Sequence, residues 1–117
     1  MKLALAVVGS RDFSNYLLLK EEIEKLPEFS LITEIISGGA KGADTLGALY
    51  ARDSQLQLTE YIPMWSKYGK SAGFKRNTLI IQNADIVIAF WDGTSKGTLS
   101  SIELAKKYNK KLHIIRY

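Results

Sequence analysis

Apolar residues come in short unbroken runs, and amphipathic stretches separate them. Leu3 to Val8 is continuously apolar, as expected of a strand buried on both faces. Tyr16 to Leu26 sets Leu17, Leu18, Ile23 and Leu26 among Lys and Glu, which predicts an amphipathic helix stopped near Pro27. Leu31 to Ile36 reads as a second strand. Ala43 to Arg52 reads as a helix whose small residues, Ala43, Gly47, Ala48 and Ala51, suit close packing on a sheet. A third strand, Leu58 to Ile62, meets Pro63. Ala72 to Asn83 predicts a third helix with Phe74, Thr78 and Ile81 on one side. Asp85 to Phe90 is the clearest buried strand. Thr98 to Tyr108 predicts a fourth helix with Ile102, Leu104 and Ala105 apolar, and Leu112 to Ile115 closes as a fifth strand.

The order is strand, helix, strand throughout. Helical crossovers of this length imply parallel strands joined by right-handed connections. The expectation is an α/β fold: one Rossmann-like, doubly wound, five-stranded parallel sheet with helices on both faces, a single domain over residues 1–117. Such sheets bind ligands beyond the carboxyl ends of their strands, where the winding direction reverses.

Glycine-bearing loops stand at those ends: VVGSRDF at 7–13, SGGAKGAD at 37–44 and FWDGTSKGT at 90–98. A strand that ends in glycine and opens into a helix presents unpaired N–H groups and the positive end of the helix dipole, which suits phosphate. Gly9 and Ser10 form either a tight turn or, with Arg11, a phosphate clamp. Ser37, Gly38, Gly39, Lys41 and Gly42 precede Asp44, which either complements a helix N-terminus or accepts a ribose hydroxyl. Asp92 and Gly93 are turn residues or ligand contacts. Ser95, Gly97 and Thr98 offer amides and hydroxyls as a phosphate seat.

Composition removes several chemistries. The 117 residues contain no cysteine, so disulfides and thiolate metal sites are excluded. One histidine, His113, cannot build a histidine-based zinc site, and flanked by Leu112 and Ile114 it reads as structural. Neither metal nor cofactor is expected. No run approaches the roughly 18 apolar residues of a membrane span. The start MKLALAVVGS mimics a signal peptide, but its apolar run is short and meets glycine and Arg11. We read it as a first strand and expect a cytoplasmic protein without a membrane partner.

The net charge of +4 fits a generic basic surface or a nucleic-acid partner. Yet Arg11, Lys41, Lys67, Lys70, Lys75, Arg76 and Lys96 all lie in or beside post-strand loops, which favours a small anionic ligand. Residues 62–77, IPMWSKYGKSAGFKRN, hold aromatics, cations and glycines between a strand and a helix. They read either as a surface loop with Trp65 tucked onto the core, or as a flap. In the flap reading Trp65 or Tyr68 stacks on a base while Lys70, Lys75 and Arg76, next to Asn77, meet phosphates.

No single loop is diagnostic; neither a Walker lysine-serine loop nor GxGxxG is present. The ordered set is more specific. GSRDF, SGGAKGAD, P-x-W-x-x-Y-G-K-x-A-G-x-x-R-N and D-G-x-S-x-G-T follow the first four strands in turn, and together they resemble the SLOG superfamily, in particular its small YspA-like branch. The resemblance covers nearly the whole chain. It implies a Rossmann-like sheet and a pocket for nucleotides or nucleotide-derived ligands. Relatives include sensors of nucleotide messengers, a DNA-processing protein, and the cytokinin-activating phosphoribohydrolases called LOG. LOG enzymes carry P-G-G-x-G-T-x-x-E, whose glutamate serves catalysis. Setting its Gly-Thr on Gly97-Thr98 puts Ser101 at the glutamate position. Glu103 lies about 200° around the helix from Ser101. Arg76 is a counterpart of the LOG arginine.

The expected function is binding of a nucleotide or ADP-ribose-like ligand, for sensing or sequestration. One alternative is an N-glycosidic nucleotide hydrolase using Asp44, Arg76, Asp92 or Glu103. Another is a nucleic-acid-binding module. A homo-oligomer, a dimer in the simplest case, is expected because the third helix carries Phe74, Leu79 and Ile80, and the second Leu46, Leu49 and Tyr50, over more than one side.

Overall fold

A computed structural model describes all residues, 1–117. Five strands form one parallel sheet: β1 (Leu3–Gly9), β2 (Ile32–Ser37), β3 (Gln57–Glu60), β4 (Ile86–Trp91) and β5 (Lys111–Arg116). Their order across the sheet is β3-β2-β1-β4-β5. The main helices are α1 (Tyr16–Glu24), α2 (Ala43–Asp53), α4 (Ala72–Asn83) and α5 (Lys96–Lys107), with a short α3 (Trp65–Tyr68) before α4.

Alternation along the central strands builds two cores. Leu5 and Val7 of β1 pack with Ile86, Ile88 and Phe90 of β4 against Leu19 and Ile23 of α1 and Ala51 of α2. Ala4, Ala6 and Val8 face the other way, with Val87 and Ala89, onto Ile80 and Ile81 of α4 and Ile102 and Ala105 of α5. Unbroken apolar sequence in β1 and β4 is therefore what two covered faces demand. Burying each such large aliphatic contributes about 1.5–3 kcal/mol. Small residues bring α2 close: a Cβ built on Gly47 would stand 2.9 Å from Val7 Cβ.

α1 and α2 cover one face, α4 and α5 the other. The winding reverses between β1 and β4, so a crevice opens at their carboxyl ends.

Several expectations need correction. The stretch after β3 is not a plain loop: α3 and a 3₁₀ turn at Gly69–Ser71 lead into α4. Trp65 is not tucked onto the core; it is 57% exposed. Phe74 and Ile81 share a side of α4, but that side is covered only toward the C-terminal end: Phe74 is exposed and Ile81 fully buried. Of the side chains expected at an interface, Tyr50 is buried in the first core and Ile80 in the second, whereas Leu49 and Leu79 remain exposed. The first glycine loop does not open straight into a helix, because α1 starts at Tyr16, capped by Asn15 Oδ1 on the Leu18 amide at 3.0 Å.

Candidate functional site

Two adjoining cavities occupy the carboxyl end of the sheet. The inner one, about 100 Å³, is walled by Gly9, Asp44, Asn77, Gly97, Thr98 and Ser101, with Val8 and Ile80 as apolar floor. The outer one, about 390 Å³, is bounded by Gly38, Gly39, Lys41, Ile62, Pro63 and Trp65. Arg11, Ala40 and Arg76 line both.

Arg76 comes from the first half of α4 and reaches across to β2. Its Nη1 donates to the Gly38 carbonyl at 2.6 Å and its Nε to Asn77 Oδ1 at 2.8 Å. A guanidinium has five donors, so three remain for a ligand. Neither Arg76 nor Arg11 has an ion-pair partner; the ion pairs of the chain are Lys25–Glu22 and Lys111–Glu28, both elsewhere. Burial holds the Arg76 guanidinium below its usual pKa, and neighbouring Arg11 adds to that while Asp44 opposes it.

Asp44 sits in the first turn of α2 and is buried. Its Oδ2 accepts from the Ala40 amide at 3.2 Å. Burial pushes its carboxyl up to about 6, against the lowering pull of that hydrogen bond, of Arg76 and of the Gly38 backbone. Asp44 is thus a carboxyl that changes charge near neutrality.

At α5, Ser95 caps the helix through its hydroxyl, which accepts from the Thr98 amide at 3.4 Å. Gly97, at the second helical position, has no intrahelical acceptor for its amide. A Cβ built there would meet nothing within 4 Å, so a ligand can approach its backbone. This is the positive end of a 12-residue helix.

Other polar residues singled out from sequence hold the loops together instead of lining a cavity. The Ser10 hydroxyl, buried, accepts from the Asp92 amide at 3.3 Å and lies 3.5 Å from Thr98 Oγ1. It ties the loop after β1 to the loop after β4. Ser37 Oγ donates to the Asp44 carbonyl at 2.9 Å and fixes the start of α2. Asp92 Oδ1 accepts from the Thr94 and Ser95 amides at 2.9 and 2.8 Å, a turn that lowers its pKa. Gly93 leaves room for the Arg116 guanidinium. Gly42 sits at the N-cap of α2, Lys70 is exposed in the 3₁₀ turn, and Glu103 is exposed on α5 while Ser101 faces the inner cavity.

Sequence reasoning missed Val8 and Ile80 in the inner wall; Ala40 lies within the second glycine loop, and Ile62 and Pro63 within the 62–77 segment, where they were not singled out. Ile80 was within reach: it lies one helical turn beyond Arg76, on the same face.

The fold recurs in two solved structures. DNA processing protein A (DprA) from Streptococcus pneumoniae superposes over 99% of this chain with a TM-score of 0.79 and 22% identity. DNA processing protein A from Helicobacter pylori, described for its single-stranded DNA binding mode, superposes over 96% with a TM-score of 0.68 and 23% identity. The chain spans 51% of the first and 64% of the second. At these identities the likeness is one of fold. No curated protein matches the chain. Residues 3–68, from β1 through α3 and therefore including the first two glycine loops, match the YspA, cpYpsA-related SLOG family, and the chain belongs to that family.

Proposed function

We propose that the chain binds a nucleotide or nucleotide-derived, ADP-ribose-like ligand in the paired cavities, for sensing or sequestration. The observation that carries this reading is the pair Arg11 and Arg76. Both line both cavities, neither has a carboxylate partner, and the open amide of Gly97 faces the same space. Two guanidiniums without a salt bridge, beside a helix N-terminus, suit an anion. Trp65, Ile62 and Pro63 supply an apolar shelf for a base.

Turnover is not part of the reading. Where LOG enzymes keep a glutamate, Ser101 lines the inner cavity, and a hydroxyl without a base does little general acid–base work. Asp44 is the residue through which turnover would proceed, so incubation with nucleoside monophosphates and chromatography for free base is the check.

A nucleic-acid partner is the second reading. Between Tyr61 and Ala84 there are four cations and no acidic residue, and Trp65 and Phe74 are exposed beside them. Such a surface suits a single strand by stacking and charge. The H. pylori protein's described single-stranded DNA binding raises the interest of that surface.

Calorimetry of the purified chain against a nucleotide panel decides the first reading, with binding lost or weakened about ten-fold in Arg76→Ala. No binding of any nucleotide, or equal binding by the variant, would count against it. A steep salt dependence of DNA binding in the absence of nucleotide binding would favour the second.

A further inference from the structure

The two cavities differ in chemistry, and that difference bears on how many phosphates the ligand carries. Donors stand on both sides of the seam. Lys41 stands on the outer side, Arg11 and Arg76 line both sides, and the Gly97 amide stands on the inner side. Beyond Lys41 the outer cavity turns apolar at Ile62, Pro63 and Trp65.

A single phosphate meets the donors of one side only. Placed at Gly97 it leaves Lys41 without an anion; placed at Lys41 it leaves the helix N-terminus empty. Neither Arg11 nor Arg76 is salt-bridged to a carboxylate, so both keep donors for an anion. Two linked phosphates can lie one on each side, with Arg11 and Arg76, which line both cavities, between them. The base then falls on the Trp65 side, since the inner cavity, at about 100 Å³, is the smaller and has no aromatic residue in its wall.

We propose that the ligand is a nucleoside diphosphate, with its two phosphates spanning the seam at Arg11 and Arg76 and its base against Trp65. The inference rests on the nucleotide reading above and adds the phosphate count and the direction in which the ligand lies. Arg11 is then the bridging residue, and Trp65 the base contact.

The test is titration calorimetry with matched mono- and diphosphates of adenosine, guanosine, cytidine and uridine, together with inorganic phosphate and pyrophosphate. At least one diphosphate should bind ten-fold or more tightly than its own monophosphate, and pyrophosphate more tightly than phosphate. Arg11→Ala, at an exposed position, should leave thermal unfolding unchanged and remove most of the diphosphate advantage. Arg11→Lys keeps the charge and should recover part of it. Trp65→Ala should weaken the nucleotides and leave pyrophosphate unaffected. If nucleotides bind but no diphosphate binds ten-fold more tightly than its own monophosphate, this inference is overturned and the nucleotide reading stands. Failure of every nucleotide to bind overturns both.

Discussion

The Arg76 guanidinium, on α4, donates to the backbone carbonyl of Gly38, at the end of β2, over 2.6 Å. The contact joins two elements that are far apart in sequence and sets the wall shared by both cavities. It also explains the glycine. A Cβ built on Gly38 would stand 2.7 Å from Asp44 Oδ2 and would collide with the Arg76 guanidinium.

Gly38→Ala is therefore expected to displace Arg76 from its seat. Overpacking of this kind costs about 1–3 kcal/mol. The variant should melt at lower temperature and bind nucleotide at least ten-fold more weakly. Thermal unfolding and calorimetry on the same preparation check it. Wild-type affinity in Gly38→Ala would mean that the position of Arg76 does not matter to the ligand.

A remote variant separates stability from binding. Asn15 caps α1 through its side chain, on an element that lines neither cavity. Removing such a cap costs about 1 kcal/mol. Asn15→Ala should lower the unfolding free energy by that amount and leave nucleotide affinity as it was. Loss of affinity would show that binding follows global stability, and the Gly38 result would then lose its local meaning.

Much of this arrangement is legible in the sequence, and the exceptions have physical causes. Runs such as Leu3 to Val8 and the Ile86 to Phe90 core of β4 are apolar because both faces of the sheet are covered, so they announce themselves. α3 does not: four residues are too few to show a helical period. Trp65 was ambiguous because an aromatic residue in a loop has no pattern to orient it. Ser10, Ser37 and Asp92 were recognised as polar residues at the right loops. Whether their side chains meet a ligand or a neighbouring amide depends on which loops lie together, and that pairing is a property of the folded chain. Arg76 stands out in the sequence as a cation beside a post-strand loop, and the family resemblance points to it as well; its bond to Gly38 shows only in the fold.

The exposed face of α3 and α4 bears on self-association. Met64, Phe74 and Leu79 are 54%, 57% and 45% exposed, and the segment around them carries Lys67, Lys70 and Lys75 without an acidic residue. We propose that a second copy of the chain covers this face. The lysines of the two copies then repel, so association should strengthen as salt screens them. Light scattering at micromolar concentration should give a dimer mass whose population grows with ionic strength, and Phe74→Glu should return it to monomer. A monomer at every salt concentration would remove the proposal.

Asp44 gives a pH dependence whose sign can be worked out. Its carboxyl is pushed from 3.8 up to about 6 in the folded chain, chiefly by burial. Between those values the folded state holds the proton more tightly than the unfolded state. Folding is therefore favoured below pH 4, and that advantage is lost as pH rises through 6. A shift of this size corresponds to roughly 2–3 kcal/mol. Asp44→Asn cannot ionise and keeps an oxygen to accept from the Ala40 amide. It should be more stable than the wild type at pH 7.5, by up to about 2 kcal/mol, and nearly equal to it at pH 4. Urea denaturation of both proteins across that range reads the difference directly. The same carboxylate repels an anion in the inner cavity, so phosphate-bearing ligands should bind the wild type more tightly at pH 5.5 than at pH 7.5. In Asp44→Asn that preference should flatten. A wild-type stability profile that is parallel to the Asp44→Asn profile from pH 4 to 7.5 would show that Asp44 does not titrate as its surroundings require.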